Sequence, residues 1–343
     1  MHFRYLNAIV VFLGLLASLA HAQSASQEDT PGLPGRMVDL GGYRLHLDCM
    51  GRGTPTVVLS AGAGDFSTDW ALVQPKIAAF TRVCSYDRSG AAWSELGPKP
   101  RTMDQEAFDL HRMLSIAGEH GPYVMVGQSL GGMVARIFAE RRPKEVAGIV
   151  LVDSYSEDSQ LFMNGKLVRV RLAAKRRPIP PPRTSMSVSD QLTQTELQDI
   201  AGLMKQIGAP QIHAPYDRLP EFSKQVRVWA RQQPKYWAEG DDYMAEISAR
   251  MYAEDKARKY PVGDTPLVVL TRGLYDYPGP NAALLTREHK EQQARMAQLS
   301  SQGRQVIVPG SGHEIQLYAP DAVVNAIHSV ITPAKSRKTR SAK

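Results

Sequence analysis

Cysteine is scarce in this chain. Only Cys49 and Cys84 occur in 343 residues. Two cysteines cannot supply a four-thiolate zinc cage or a disulfide-knotted small fold. The sequence shows no zinc signature, no lysine-tipped phosphate loop and no dinucleotide fingerprint set between a strand and a helix. These absences predict a protein with no metal and no organic cofactor. No internal repeat is visible. No long apolar run follows the N-terminus, so the mature protein is expected to carry no stable membrane span. The net charge of +7 is moderate. Much of it sits in two local clusters, residues 175–183 and 335–340, so it does not call for a nucleic-acid partner.

The N-terminus has the three parts of a secretory signal. Met1-His2-Phe3-Arg4 is the positive region, Ala8 to Ala20 the apolar run, and Ala20-His21-Ala22 the small-residue cleavage site. This predicts a signal peptide over 1–22, a mature start at Gln23 and a polar, flexible leader over 23–36. The expected address is periplasmic or secreted. In such an oxidising compartment the two cysteines are free to pair.

From residue 37 the chain alternates short apolar strands with helices. Met37–Leu40 and Tyr43–Cys49 flank Gly41-Gly42 as a hairpin. Thr56–Leu59 is fully apolar and runs into Ser60-Ala61-Gly62-Ala63-Gly64-Asp65. Helix-like spacing over Trp70–Phe80 precedes a strand at Arg82–Tyr86, which ends in Asp87-Arg88-Ser89-Gly90. A further helix is predicted over Asp104–Ala117. Then Tyr123–Val126 leads to Gly127-Gln128-Ser129-Leu130-Gly131-Gly132 and a helix to Arg141. Val146–Val152 is the next strand, ending at Asp153. This alternation predicts an α/β fold with a mostly parallel sheet covered on both faces.

The alternation stops after Asp153. Residues 155–260 hold no strong strand. They read as a basic, proline-rich connector, Lys175 to Arg183, followed by amphipathic helices over Val188–Ile207, Leu219–Gln232 and Tyr236–Lys259. The stretch is expected to be a helical cap. Trp229, Trp237, Tyr243, Met244 and Met251 are its large apolar residues. They fit cap core better than pocket lining. The connector fits a solvated crossing better than a site for acidic ligands or the cell envelope. The core resumes over 261–334, with strands at Pro266–Thr271 and Gln305–Val308, helices at Asn281–Ser300 and Pro320–Ile331, and the loop Pro309–Glu314 between. A disordered basic tail, 335–343, is expected to close the chain.

Gly127-Gln128-Ser129-Leu130-Gly131 is G-x-S-x-G between a strand and a helix. Only glycine on both sides leaves room for a serine on so tight a turn. With the glycine-rich loop, the D-R-x-G segment and Gly312-His313, the order of parts resembles the α/β-hydrolase superfamily, and within it the cap-bearing serine hydrolases. Ala92 stands where that segment usually has its second glycine. The resemblance implies an eight-stranded, mostly parallel sheet with helices on both faces and a helical cap insertion. It implies Ser129 as nucleophile and His313 as base, because the fold orders its parts serine, acid, histidine. His213, His289 and His328 lie in the cap or on helices and fit less well. Two acids compete. Asp276, at G-x-x-D after a strand, matches the usual position and is preferred; Asp153, at the end of the preceding strand, is the alternative. The oxyanion donors would be the amides of Leu130 and Ala63. The resemblance also sets the second and fourth strands side by side and antiparallel, which makes a Cys49–Cys84 disulfide reasonable.

The activity implied is hydrolysis of a carboxylic ester on a small-molecule substrate through an acyl-enzyme. Lactone, amide or C–C bond hydrolysis and cofactor-free perhydrolysis use the same parts. A serine at the elbow argues against the family members that use an aspartate there. A non-catalytic ligand-binding protein on the same fold is the alternative of another class.

Overall fold

The four apolar runs Thr56–Ser60 (β3), Tyr123–Gln128 (β5), Val146–Val152 (β6) and Leu267–Arg272 (β9) lie side by side as parallel strands at the centre of one sheet. In this computed structural model, residues 30–163, 166–238, 243–275, 277 and 279–341 are described. The expected signal peptide and most of the leader lie outside them. Arg36–Asp39 (β1), Arg44–Met50 (β2) and Val83–Tyr86 (β4) extend the sheet on one side and Gly303–Val308 (β10) on the other. The order is β1-β2-β4-β3-β5-β6-β9-β10. β2 runs antiparallel to both its neighbours, and all other pairs are parallel.

Side chains alternate between the faces, as strand geometry requires. Val58, Met125 and Ile149 pack with Leu110 and Phe138 on one face. Val57, Val124 and Val150 pack with Ile77 and Ile327 on the other. Helices Met103–Ile116 and Leu130–Arg141 thus cover one side, and Gln74–Ala78 and Pro320–Ser341 the other. From Pro34 onward, core and cap form one compact unit.

Cys49 and Cys84 face each other in the β2–β4 register and form a disulfide. Glu119 lies near both sulfurs. Because the sulfurs are bonded to each other, they offer no thiolate to a metal.

Two expectations need correction. The cap is not purely helical: Gln160–Met163 (β7) and Lys166–Arg169 (β8) pair antiparallel. Strands of four residues are too short to show a convincing period of two. The closing helix does not stop near Ile331. Its backbone continues to Ser341, through residues expected as irregular tail. Lysine, arginine and alanine are good helix formers, so the basic composition is no obstacle.

The rest of the cap consists mainly of helices Gln194–Ile207, Glu221–Arg231, Pro234–Trp237 and Met244–Ala257. The basic connector is pinned by acids of the same chain. Arg177 Nε donates to Glu246 Oε1 at 2.9 Å, and Arg183 Nη1 to Asp190 Oδ1 at 2.7 Å. Met251 is buried, and Tyr243 and Met244 pack on the main core. Trp229 meets Trp93 of the core at 5.7 Å between ring centroids, and Trp237 Nε1 donates to Arg231 O. These large cap residues serve packing.

Candidate active site

The turn between β5 and helix Leu130–Arg141 forces Ser129 into a backbone conformation with φ 49° and ψ −119°. A non-glycine residue with positive φ is uncommon and strained. The surrounding glycines show why the turn can be this tight. A Cβ on Gly127 would lie 2.3 Å from Gly131 O, and one on Gly131 would lie 2.2 Å from Ser60 O. A Cβ on Gly132 would lie 1.9 Å from Ser154 Oγ. The turn is bonded to the end of β6: Ser129 N donates to Val152 O at 3.1 Å, and Tyr155 N donates to Ser129 O at 2.9 Å.

Asp153 therefore lies one strand away from the serine. It too has positive φ, 42°, and its side chain is buried. His313 lies in the loop after β10. That loop is tied back across β9, because Gly273 N and Leu274 N both donate to Ser311 O. His313 Nδ1 reaches Asp153 Oδ2 at 2.6 Å. The preference for Asp276 is thereby corrected. Asp276 lies outside the described residues, and the carboxylate on His313 is the alternative, Asp153. Spacing along β9 counts residues. The partner is set by which strand end lies beneath the histidine loop, and that is β6.

Asp153 accepts more than one bond. His289 Nε2 meets its Oδ1 at 2.8 Å, Arg272 N donates to Oδ1 at 3.0 Å, and Arg272 Nε lies 3.4 Å from Oδ2. Burial alone would push the carboxyl pKa up. The hydrogen bonds and charge of His289 and His313 outweigh it and hold Asp153 well below the usual carboxylate range. For His313, burial works against the charged ring. The hydrogen bond to Asp153 and the charges of Asp153 and Glu314 outweigh it, so its pKa is raised.

The loop after β3 carries the other expected donor. Arg88 is buried, and its Nη1 donates to Ala61 O at 2.5 Å and its Nη2 to Gly62 O at 2.8 Å. The Gly62 carbonyl and the Ala63 N–H belong to one trans peptide, so they point in opposite directions. Arg88 thus fixes where the Ala63 N–H points. Among the described residues, neither the Ala63 nor the Leu130 amide has a backbone acceptor outside its own helix. Gly62 leaves no room for a side chain, since a Cβ there would lie 2.1 Å from Gln128 Oε1.

The cap holds both loops. Arg227 Nη1 pairs with Asp65 Oδ1 at 3.0 Å and also with Asp69. Tyr216 OH donates to Asp65 Oδ1 at 2.9 Å and lies 3.5 Å from Glu314 Oε1, beside His313. Burial pushes the Asp69 carboxyl up to about 7 against the pull of Arg227. A cavity of about 570 Å³ adjoins His289 and is lined also by Leu167, Tyr277 and Leu285 among others.

Sequence reasoning named Ser129 and His313, which lie after β5 and after β10. It missed the contacts of Arg88, Arg272 and His289. His289 left little signal in the sequence: Gln292 and Gln293, three and four residues on, are polar, and only the fold shows that they and Met296 are buried. This puts His289 on the sheet-facing side of its helix, Ala282–Ala297.

Comparison with known proteins agrees with this fold. The alpha/beta hydrolase family profile matches residues 57–326. A relative from Hormonema carpetanum, described as a probable transporter (efuK), is 26% identical over 88% of this chain. The chain spans 43% of that protein, and 30% of the next relative. Among solved structures, a thermophilic esterase from Thermogutta terrifontis covers 88% of this chain and 99% of its own, with 20% identity and a TM-score of 0.58. The enol-lactonase from Burkholderia xenovorans covers 87% and 100%, with 17% identity and a TM-score of 0.56. At these identities the two structures establish the fold alone.

Proposed function

The chain belongs to the alpha/beta hydrolase family, and from that premise we propose that it is a serine hydrolase of carboxylic esters or closely related acyl bonds. The observation that carries this reading is Ser129, held at φ 49° at the end of β5, one strand away from an aspartate bonded to His313. A serine hydroxyl is a weak nucleophile without a base. His313 Nδ1 is taken by Asp153, so Nε2 is the nitrogen left to accept the Ser129 proton. The serine oxygen then bonds to the substrate carbonyl carbon, and the carbonyl oxygen takes up the negative charge. The amides of Leu130 and Ala63 are the donors suited to that charge. Arg88 orients the second of them and polarises its peptide. As the tetrahedral species collapses, the bond to the leaving oxygen breaks and His313 returns the proton to it. Water, deprotonated by the same nitrogen, then hydrolyses the acyl-enzyme.

The esterase and lactonase structures named above are of proteins that act on acyl–oxygen bonds, and this supports the choice of chemistry. The proposal also places the protein outside the cytoplasm. The signal-like N-terminus supports this, and so does the disulfide, which an oxidising compartment maintains. Labelling with a fluorophosphonate probe tests the reading: wild type is expected to label and Ser129→Ala is not. Equal labelling of both, or of neither, overturns it. A series of p-nitrophenyl esters of graded chain length, run beside lactone and amide substrates, then defines the acyl group. Mass spectrometry of the exported protein is expected to find Gln23 at its start.

A further inference from the structure

We propose that His289 is a positioning residue of this site: it shares the Asp153 carboxylate with His313 and limits how much of its charge reaches the His313 ring. The inference rests on the serine-hydrolase reading and extends it to a residue outside the Ser129–His313–Asp153 set.

An ionised carboxylate only accepts hydrogen bonds. Asp153 Oδ2 serves His313 Nδ1 at 2.6 Å, and Oδ1 serves His289 Nε2 at 2.8 Å. Both ring nitrogens that face Asp153 therefore carry protons, and the tautomer of His289 is set by the contact. The Asp153 side chain is fully buried, while those of His289 and His313 are 13% and 34% exposed. The carboxylate is thus clamped between two rings supplied by different elements, helix Ala282–Ala297 and the loop after β10. The rim of His289 is fixed in turn by Tyr275, edge-on at 5.7 Å, and the ring borders a cavity lined also by Leu167 and Leu285.

Among the described residues, the charged neighbours are these. Arg272 faces Asp153 from the end of β9, and Glu314 adjoins His313 on its own loop. From the cap, Tyr216 reaches Glu314. Lys290 Nζ lies over the Tyr275 ring at 5.0 Å, and Glu288 is paired with Arg169 at 3.3 Å.

Every donor on a carboxylate draws on the same negative charge. If His289 is removed, Oδ1 retains, among the described residues, only the Arg272 amide, and more of the charge is available to the imidazolium form of His313. The sign is the same whether the His289 ring is neutral or charged, because either form competes for Asp153. His313 should then hold its proton to higher pH. A residue that merely filled space would lower stability without moving that titration.

Three full-length proteins test this: wild type, His289→Ala and His289→Gln, in which the amide nitrogen can replace the Nε2 donor. In His289→Ala the acid limb of kcat/KM is expected to move to higher pH by about 0.5 to 1. KM should change by less than about twofold, as expected when ground-state binding is untouched. His289→Gln should keep the wild-type limb. A His289→Ala limb that coincides with wild type overturns the proposal, as does a His289→Gln limb that moves with it. Failure of the hydrolase reading is seen separately, as absence of fluorophosphonate labelling in wild type. In that event the His313 C2–H titration, followed by NMR in the same three proteins, must show the same shift, and an unmoved titration overturns the proposal.

Discussion

His313 meets Asp153 at 2.6 Å, and at the other side of the sheet His46 meets Asp87 at 2.7 Å. The second pair even has a serine, Ser67, whose Oγ lies 3.4 Å from His46 Nδ1. The two differ at the remaining nitrogen. His46 Nε2 donates to Pro34 O at 2.6 Å. A carbonyl and an ionised carboxylate both only accept, so with Asp87 ionised both nitrogens of His46 carry protons. Burial opposes the charge of that form, but the charge and hydrogen bond of Asp87 outweigh it, and the pKa is raised. The His46 side chain has 0% exposure. No nitrogen is left to receive a proton and no substrate can arrive. In His313 the side chain is 34% exposed, and among the described residues nothing bonds Nε2. Composition is shared between the two clusters. What separates them is the nitrogen left open, which the proposed role of His313 as base requires.

The widest separation between the pairs is expected when each carboxylate becomes an amide. Asp153→Asn should lose about 10⁴-fold in kcat, the scale seen when the acid behind a catalytic histidine is neutralised. Its fold should persist, as judged by circular dichroism. Asp87→Asn breaks a buried ion pair and should lose about 3–5 kcal/mol in urea unfolding, while kcat per folded molecule changes less than about tenfold. Asp276→Asn serves as the control for the acid and should retain wild-type kcat. If it loses activity while Asp153→Asn keeps it, the assignment of the acid is wrong.

The site was legible in the sequence where its constraints are local. Gly127 meets Gly131 within the turn around Ser129 itself, so a short pattern carries that part of the information. His313 was legible through its order in the chain, given the resemblance. The acid was not, because Asp153 is 160 residues from His313, and only the lateral order of β5, β6 and β9 decides which carboxylate it meets. Arg88 lies in the Asp87-Arg88-Ser89-Gly90 segment, yet its bonds to Ala61 and Gly62 depend on a loop 27 and 26 residues earlier. Ala92 departs from the glycine pattern. It is seen at φ 38°, so the glycine-like conformation is kept at the expense of strain. In the fold, the buried parallel strands were plain from their continuous apolar runs. The cap hairpin was hidden by strands of four residues each, and the pairing of Cys49 with Cys84 came from the resemblance.

The disulfide offers a second, smaller way to separate the two regions. It joins the same strands, β2 and β4, that carry His46 and lead into Asp87. The bond spans 35 residues. Loop-closure entropy for a loop of that length predicts a loss of about 4 kcal/mol in the double variant Cys49→Ser/Cys84→Ser. The Ser129 site lies across β3 from this strand pair. Fluorophosphonate labelling of the folded fraction should therefore proceed at the wild-type rate. A lower midpoint in urea with unchanged labelling is the expected outcome. A slowed labelling rate would mean that the edge of the sheet and the site are coupled, and the two regions could no longer be treated as independent.

The smallest effect concerns a single proton. The folded-state pKa of His46 is raised above that of the unfolded chain, near 6.5 for an unperturbed histidine. A raised pKa means that the folded state binds the proton more tightly. The stability so gained is fully present below the unfolded value and is lost as pH rises through the folded value. His313 is raised as well and contributes with the same sign, so wild-type stability alone cannot isolate the buried pair. The difference between wild type and His46→Gln can. Urea midpoints measured from pH 5.5 to 9 should show the variant less stable throughout, with a gap that is widest at the acid end and narrows as pH rises. A gap that stays constant would mean that His46 contributes only its shape and hydrogen bonds. One that widens with pH would mean that the ring is neutral in the folded protein, and the contrast with His313 would then rest on burial alone.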